Sequence, residues 1–226
     1  SLQAVNREGV DGLRLKLYRQ LDDIPLSDAL PMMENMGLRV MAERPYRLSV
    51  DNAPVYIQDF EVESVAGAID AANADAAFGE AFARVWHGDA ENDGFNRLVL
   101  AAGLHWRQVA MLRGYCKYLL QTGVPFSQAY VEGTFIRYPL LARLLVELFE
   151  ARFDPATGHE DKDDVAAGQA LLKQQFAVLG GADEATGKVL ASVIAARKGN
   201  RQVQMDAARE ALLKLMDRVS SLDEDR

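Results

Sequence analysis

The hydrophobic period of the chain changes once, near residue 65, and that change limits what it can fold into. Before it, Leu13-Arg14-Leu15-Lys16-Leu17-Tyr18 alternates apolar with polar, the period of a half-buried strand with three leucines on one face. After it, apolar residues recur every three or four positions, the period of amphipathic helices. The expected architecture is therefore mainly α, with a small sheet-bearing unit first and a multi-helix domain behind it. At about 150 residues per domain, 226 residues hold roughly one and a half domains.

Within the first part, Asp22-Asp23-Ile24-Pro25 turns the chain out of the strand, and Ser27 is placed to cap a short helix carrying Leu30, Met33 and Met36. Pro31 falls in or just after the first turn of that helix, and Gly37 supplies the left-handed residue that stops it. Leu38 to Val50 is extended, and Asp51-Asn52-Ala53 turns it into a further apolar run, Val55 to Val62. The sum is β-α-β-β. Pro45 denies its strand one ladder donor, which predicts an edge position or a bulge.

Downstream, Phe78, Ala81, Phe82, Val85 and Trp86 lie on one helical face that stops at Gly88. Phe95 to Ala102 predicts a short helix closed by Gly103. From Leu104 a longer one presents Val109, Leu112, Cys116 and Leu119 and ends at Gly123. Pro125 and Ser127 open the next, with Tyr130, Val131, Thr134, Phe135 and Tyr138 inward. Pro139 heads a helix from Leu140 to Phe153 whose Leu141, Leu144, Leu145, Leu148 and Phe149 leave little room for a polar face, so it is expected at a buried centre. Residues 154–164 are proline-, glycine- and charge-rich and read as an exposed connection, and helices follow over 165–179, 183–197 and 201–219. The predicted domains are thus 1–65 and 66–226, the latter with a main bundle over 66–153 and further helices over 165–220.

Charge narrows the partners. With 33 acidic against 25 basic side chains the net charge is -8, which argues against general nucleic-acid binding. Hydrophobic residues make up 49%, too many for a disordered acidic chain, and no apolar run approaches the roughly 18 residues of a membrane span. A single cysteine, Cys116, cannot form an internal disulfide, and a cytoplasmic location is expected. The chain opens at Ser1 without methionine, and Ser221 and Glu224 have the spacing of a capping box with too few residues behind it for a helix. A cut at each end is the expectation.

Catalytic patterns are few. Gly181-Ala182-Asp183-Glu184-Ala185-Thr186-Gly187-Lys188-Val189 lacks the glycine and the hydroxyl residue of a phosphate loop and follows a helix, so it is rejected. No dinucleotide glycine pattern occurs, His87, His105 and His159 are scattered, and Glu160, Asp161, Asp163 and Asp164 lack the alternating ligands of a calcium loop. No catalytic, cofactor-binding or metal residue is assigned. Trp106, Arg107, Arg113 and Tyr115 make a candidate interaction surface, weighed against the plainer and preferred reading of Arg107 and Arg113 as the exposed face of an amphipathic helix. Asp93, Asn96 and Arg97 around Gly94 are expected to cap and tie helix ends.

Several blocks stand in fixed order: Leu30-Pro31-Met32-Met33-Glu34-Asn35-Met36-Gly37-Leu38-Arg39-Val40, Glu43-Arg44-Pro45-Tyr46, Ile57-Gln58-Asp59-Phe60 and Asp93-Gly94-Phe95-Asn96-Arg97-Leu98-Val99-Leu100. Gly103-Leu104-His105-Trp106-Arg107, Tyr115 to Gly123, Pro125-Phe126-Ser127-Gln128, Leu144 to Pro155 and Ser221-Leu222-Asp223-Glu224-Asp225-Arg226 follow. Together they resemble the large bacterial NAD-specific glutamate dehydrogenases. Residues 156–219 carry no such block. The resemblance implies a fragment upstream of a catalytic domain, comprising the end of an ACT-like regulatory region, here a partial ferredoxin-like unit, and a helical domain.

It also implies that the whole enzyme uses NAD while this stretch binds none. Implied partners are the catalytic and other regulatory domains of the same polypeptide, a homo-oligomer and an amino-acid effector. The β-α-β-β unit is expected to lack the second helix and fourth strand of a ferredoxin-like domain, leaving an open edge for another segment or subunit. The alternatives are a freestanding helical scaffold and a stand-alone amino-acid sensor.

Overall fold

The structure is a computed structural model that describes residues 1–7, 10–65, 71–179 and 183–217. The Ser221–Glu224 capping box lies outside them. The chain divides into two compact units, Ser1–Arg137 and Tyr138–Arg226.

The first unit begins with four antiparallel strands, β1 (Leu2–Arg7), β2 (Val10–Gln20), β3 (Leu38–Val50) and β4 (Ala53–Ser64), in the order β1-β2-β4-β3. Helix α1 (Leu26–Asn35) follows β2 and lies against β3, and α2 (Ala71–Trp86) lies against β1. Leu2, Leu15, Leu38, Phe60 and Val62 are buried along one sheet face, and Ala29, Met33, Phe78, Ala81, Phe82 and Val85 are buried on the two helices. Fully burying each large apolar side chain is worth about 1.5–3 kcal/mol, so this double layer supplies the unit's main driving force.

Two expectations change here. Strand β1, pairing Leu2 with Leu15 and Gln3 with Arg14, takes the place beside β2 that the closing strand of a ferredoxin-like unit would fill. Helix α2, assigned from its periodicity to the helical domain, acts as that unit's second helix. The connectivity is ββαββα, a permuted form in which the fourth strand arrives first, so the edge expected to be open beside β2 is occupied. Leu2-Gln3-Ala4-Val5-Asn6-Arg7 escaped the strand reading because Val5 interrupts its alternation.

Local expectations fare unevenly. Gly37 (φ 83°) ends α1 as predicted, and Asp51 and Asn52 both take the left-handed conformation of a two-residue hairpin turn. Pro45 sits on the edge strand β3, which also carries a bulge between Val40 and Ala42. Ser27 caps nothing: α1 starts one residue earlier, Pro25 holds the N-cap position, and the Ser27 hydroxyl donates to Asp28 instead.

The rest of the first unit is a 3-10 turn (Gly94–Arg97), α3 (Leu98–Ala101), α4 (Trp106–Gln121) and α5 (Gln128–Arg137). Val109, Leu112 and Cys116 of α4 are buried as expected, but Leu119 is half exposed. No residue of α5 is buried, against the inward face predicted for it; Phe135 reaches Phe95 at 6.2 Å between ring centroids. The Ser127 hydroxyl does cap α5, accepting from the Tyr130 N–H.

The second unit contains α6 (Pro139–Phe153), α7 (Lys162–Leu179), α8 (Glu184–Ala196) and α9 (Arg201–Met216). Leu144, Leu172, Phe176, Leu190, Val193, Ala211, Leu212 and Leu215 form its core, so α6 is central as predicted. Asp161 caps α7, Asp183 caps α8 and Asn200 caps α9, each through a side-chain oxygen accepting backbone N–H groups.

Candidate functional site

A polar cluster of the first unit surrounds the segment that leaves α2 and enters the 3-10 turn. Asp93 caps that turn by accepting from the Phe95 N–H at 3.1 Å. Arg113, projecting from α4, donates from Nε to Asp93 Oδ2 (2.7 Å) and from Nη2 to Asp93 Oδ1 and Asn96 Oδ1 (both 2.8 Å). Asn96 Nδ2 in turn donates to the Glu91 carbonyl at 2.8 Å. From α5, Gln128 Nε2 donates to Asp93 (3.2 Å) and to Glu132 Oε1 (2.7 Å). Lys117 pairs with Glu91, and Asn35 of α1 donates to Asn92. Gly94 lies under the Glu132 carboxylate, so a Cβ there would make that side chain shift.

Every acceptor of Asp93 is thus engaged, by two guanidinium donors, a backbone N–H and an amide. A carboxylate held this way is not placed to move a proton; it anchors a loop. Cys116 lies on the same helix, and burial, followed by the nearby Glu132 and Asp93 charges, pushes its thiol up, the opposite of an activated nucleophile.

The predicted surface residues separate. Trp106, at the start of α4, donates through Nε1 to Glu80 Oε1 (2.9 Å), and the Arg84 and Arg107 guanidinium groups each lie 5.1 Å from its ring centroid. His105 Nε2 meets Glu80 Oε2 at 2.8 Å. The Trp106 hydrogen bond leads the interactions that hold the Glu80 carboxyl below its ordinary value, with His105 and Arg84 adding to it. Arg113 lies two turns further along the same face but is buried, so it is not part of an exposed helix face as preferred above. Tyr115 points to the opposite side, half exposed. The structure therefore brings Trp106 and Arg107 together and places Arg113 and Tyr115 elsewhere. Asp93 and Asn96 do the capping and tying read from the sequence.

The second unit hides an ionic network that sequence reasoning missed. Arg143 and Glu147, one turn apart on α6, are buried and paired through Nη2 and Oε1. Arg197 reaches Glu147 at 3.9 Å and Glu160 at 3.5 Å. Gly168 gives the guanidinium room, because a Cβ there would come within 2.9 Å of Arg197 Nη2. Arg201 donates to the carbonyls of Ala151 (3.2 Å) and Asp154 (2.6 Å), closing the end of α6. An Arg and a Glu at i, i+4 inside an otherwise leucine-rich helix was the available signal.

The rejected phosphate-loop pattern is a capped helix start: Asp183 accepts from Ala185 and Thr186, and Lys188 pairs with Glu184 at 2.7 Å on the surface. Among the described residues no cluster of three or more His, Cys, Asp or Glu is placed to hold a metal ion, and no helix is long and apolar enough to cross a membrane.

With the geometry in place, comparison with known proteins adds the lineage. Residues 1–76 match the family model described as "Glutamate dehydrogenase, ACT3 domain", and residues 90–155 match "Glutamate dehydrogenase, helical motif 3". The NAD-specific glutamate dehydrogenase of Halomonas elongata is 47% identical over 157 residues, 69% of this chain and 10% of that protein. The chain belongs with the large NAD-specific glutamate dehydrogenases. The enzymes of that name from Pseudomonas aeruginosa and Mycobacterium tuberculosis are each 41% identical, over 78% and 65% of this chain and 11% and 10% of their own lengths. The chain thus spans about a tenth of the length of these relatives. Both matches fall on structure described above. The ACT3 match covers the permuted sheet and the start of α2, and the helical-motif match covers the whole Arg113 cluster from Glu91 to Glu132.

Proposed function

We propose that this chain is a non-catalytic regulatory and assembly segment of an NAD-dependent glutamate dehydrogenase, the whole enzyme converting L-glutamate, NAD and water to 2-oxoglutarate, ammonia and NADH. NAD is then the cofactor of the whole enzyme and is bound elsewhere in it. The partners of the segment are the catalytic and other regulatory domains of the same polypeptide, within a cytoplasmic homo-oligomer that answers to an amino-acid effector. Nucleic acid and membrane are not among them.

The observation that carries this reading is the saturation of the Arg113 cluster. The residues most suggestive of chemistry, Asp93, Asn96, Arg113 and Gln128, spend their hydrogen bonds on one another and on backbone groups of a family-matched helical motif. Such a cluster fixes the relative placement of α4, α5 and the 3-10 turn, which is what an assembly element must preserve.

The test uses the full-length enzyme bearing this stretch. Arg113→Met should alter its subunit assembly, read by analytical ultracentrifugation, while leaving its affinity for NAD as it was. Loss of NAD binding with assembly intact would contradict the reading.

A further inference from the structure

The sheet of the first unit has a second face, which α1 and α2 do not cover, and its side chains follow from the register. Lys16, Asp59 and Arg44 form one cross-strand row, Tyr18, Ile57 and Tyr46 the next, and Gln20, Val55 and Leu48 the one after. Tyr18, Tyr46, Leu48 and the following Val50 are each roughly half exposed. Two aromatic rings and several aliphatic side chains therefore stand side by side toward the β3–β4 hairpin, a contiguous apolar surface of the sort that marks an interaction site.

One end of this patch is cationic. Asp59 is buried and pairs with Arg14 at 2.8 Å. Lys16 and Arg44, its direct neighbours across the ladder, have no ion partner among the described residues. The patch thus has an apolar floor and, along one side, two cations that make no ion pair among the described residues. The adjoining edge is a poor alternative for docking, because Pro45 removes a donor from β3 and the Val40/Ala42 bulge bends it. Face contact is favoured over strand addition.

We infer that this outer face, centred on Tyr18, Ile57 and Tyr46, is the docking surface for an apolar surface with carboxylates along one side, contributed by another region of the same polypeptide. Lys16 and Arg44 set the charge of the occupant. The relatives set its source, since about nine-tenths of their length lies beyond the matched stretch. A surface carried on the same polypeptide is present once for every patch and needs no second subunit to meet it. A second copy of this chain is further disfavoured by its net charge of -8, which two copies share. The inference deepens the proposed assembly role and rests on the chain being part of a longer enzyme.

Its test is a photo-cross-link in the full-length enzyme with p-benzoylphenylalanine in place of Tyr46, prepared as mixed isotopically light and heavy polypeptides. The expected product joins position 46 to an aspartate- or glutamate-bearing apolar peptide outside the 226 residues, with light joined only to light and heavy only to heavy. Light-to-heavy products would assign the face to a second subunit, and absence of any protein cross-link would leave it facing solvent; either result overturns the inference. In the same enzyme the double variant Lys16→Glu, Arg44→Glu should speed amide exchange across residues 44–58 by at least about tenfold as the occupant detaches. Unchanged exchange would also overturn it. Failure here with assembly still dependent on Arg113 would refute the docking surface and spare the assembly role.

Discussion

Arg113 in the first unit and Arg143 in the second are both buried arginines on helices, and they hold different things together. Arg113 joins segments 17 to 22 residues apart, taking a loop carboxylate, an amide and a backbone carbonyl. Arg143 pairs with Glu147 four residues away on its own helix, and Arg197 then ties that glutamate to α8 and to the 154–161 connection. In the first case the ion pair sets where a loop lies. In the second it neutralises charges that a leucine-rich helix has taken inside, and Arg197 gives the pair a long-range role. Such a pair is weak evidence of stability in itself, because desolvation offsets attraction.

That difference predicts a ranked set of mutational effects. Glu147→Leu takes from the buried Arg143 the carboxylate it pairs with, while Arg197 keeps Glu160, and should destabilise the second unit by about 3–5 kcal/mol. The double variant Arg143→Leu, Glu147→Leu should recover most of that loss, as replacement of a whole buried pair generally does. Urea denaturation followed by far-ultraviolet circular dichroism checks both, and failure of the double variant to recover would show that the pair contributes more than mutual neutralisation.

Arg113→Met should cost about 3 kcal/mol, with Asp93 retaining its Phe95 and Gln128 donors. Both tryptophans, Trp86 and Trp106, lie in the first unit, so fluorescence-detected denaturation reports on it selectively. Here removing both partners should not restore stability, because the Asn96 side-chain oxygen would still lose the Arg113 donor. Gly94→Ala comes next, at about 1–3 kcal/mol, because Glu132 must move aside for the new methyl group.

The smallest effect is a pH response at Glu80. Its folded carboxyl is held below the ordinary value, so its contribution is fully present above that value, near pH 4.3, and is lost as pH falls through the lowered one. Trp106 emission should change in that acid window, and Glu80→Gln should abolish the change.

Much of the fold was legible because periodicity reports burial directly. Leu15, Phe78, Val109 and Leu144 all sit where their spacing put them. Residues at the ends of elements were harder. Ser27 has the right chemistry for a cap, yet Pro25 fixes the helix start before it. Strand β1 lacked alternation and is recognisable through its pairing with β2, a long-range fact that no local window contains. The polar clusters were least legible. Arg113 carries the same charge as Arg107 and lies six residues further along the same helix; only Asp93 and Asn96, from another segment, distinguish the buried arginine from the exposed one. Amphipathic periodicity assigns charge to the outside by default, and it fails where charge is matched across segments.

On the function proposed above, these conspicuous polar residues build an architectural segment and form no site for NAD or substrate. Isothermal calorimetry of the 226-residue chain with NAD, alone and with glutamate, tests it most directly. No heat of binding for NAD is expected in either titration. Saturable NAD binding at micromolar concentration, abolished by Arg113→Met in a chain that remains folded, would contradict it.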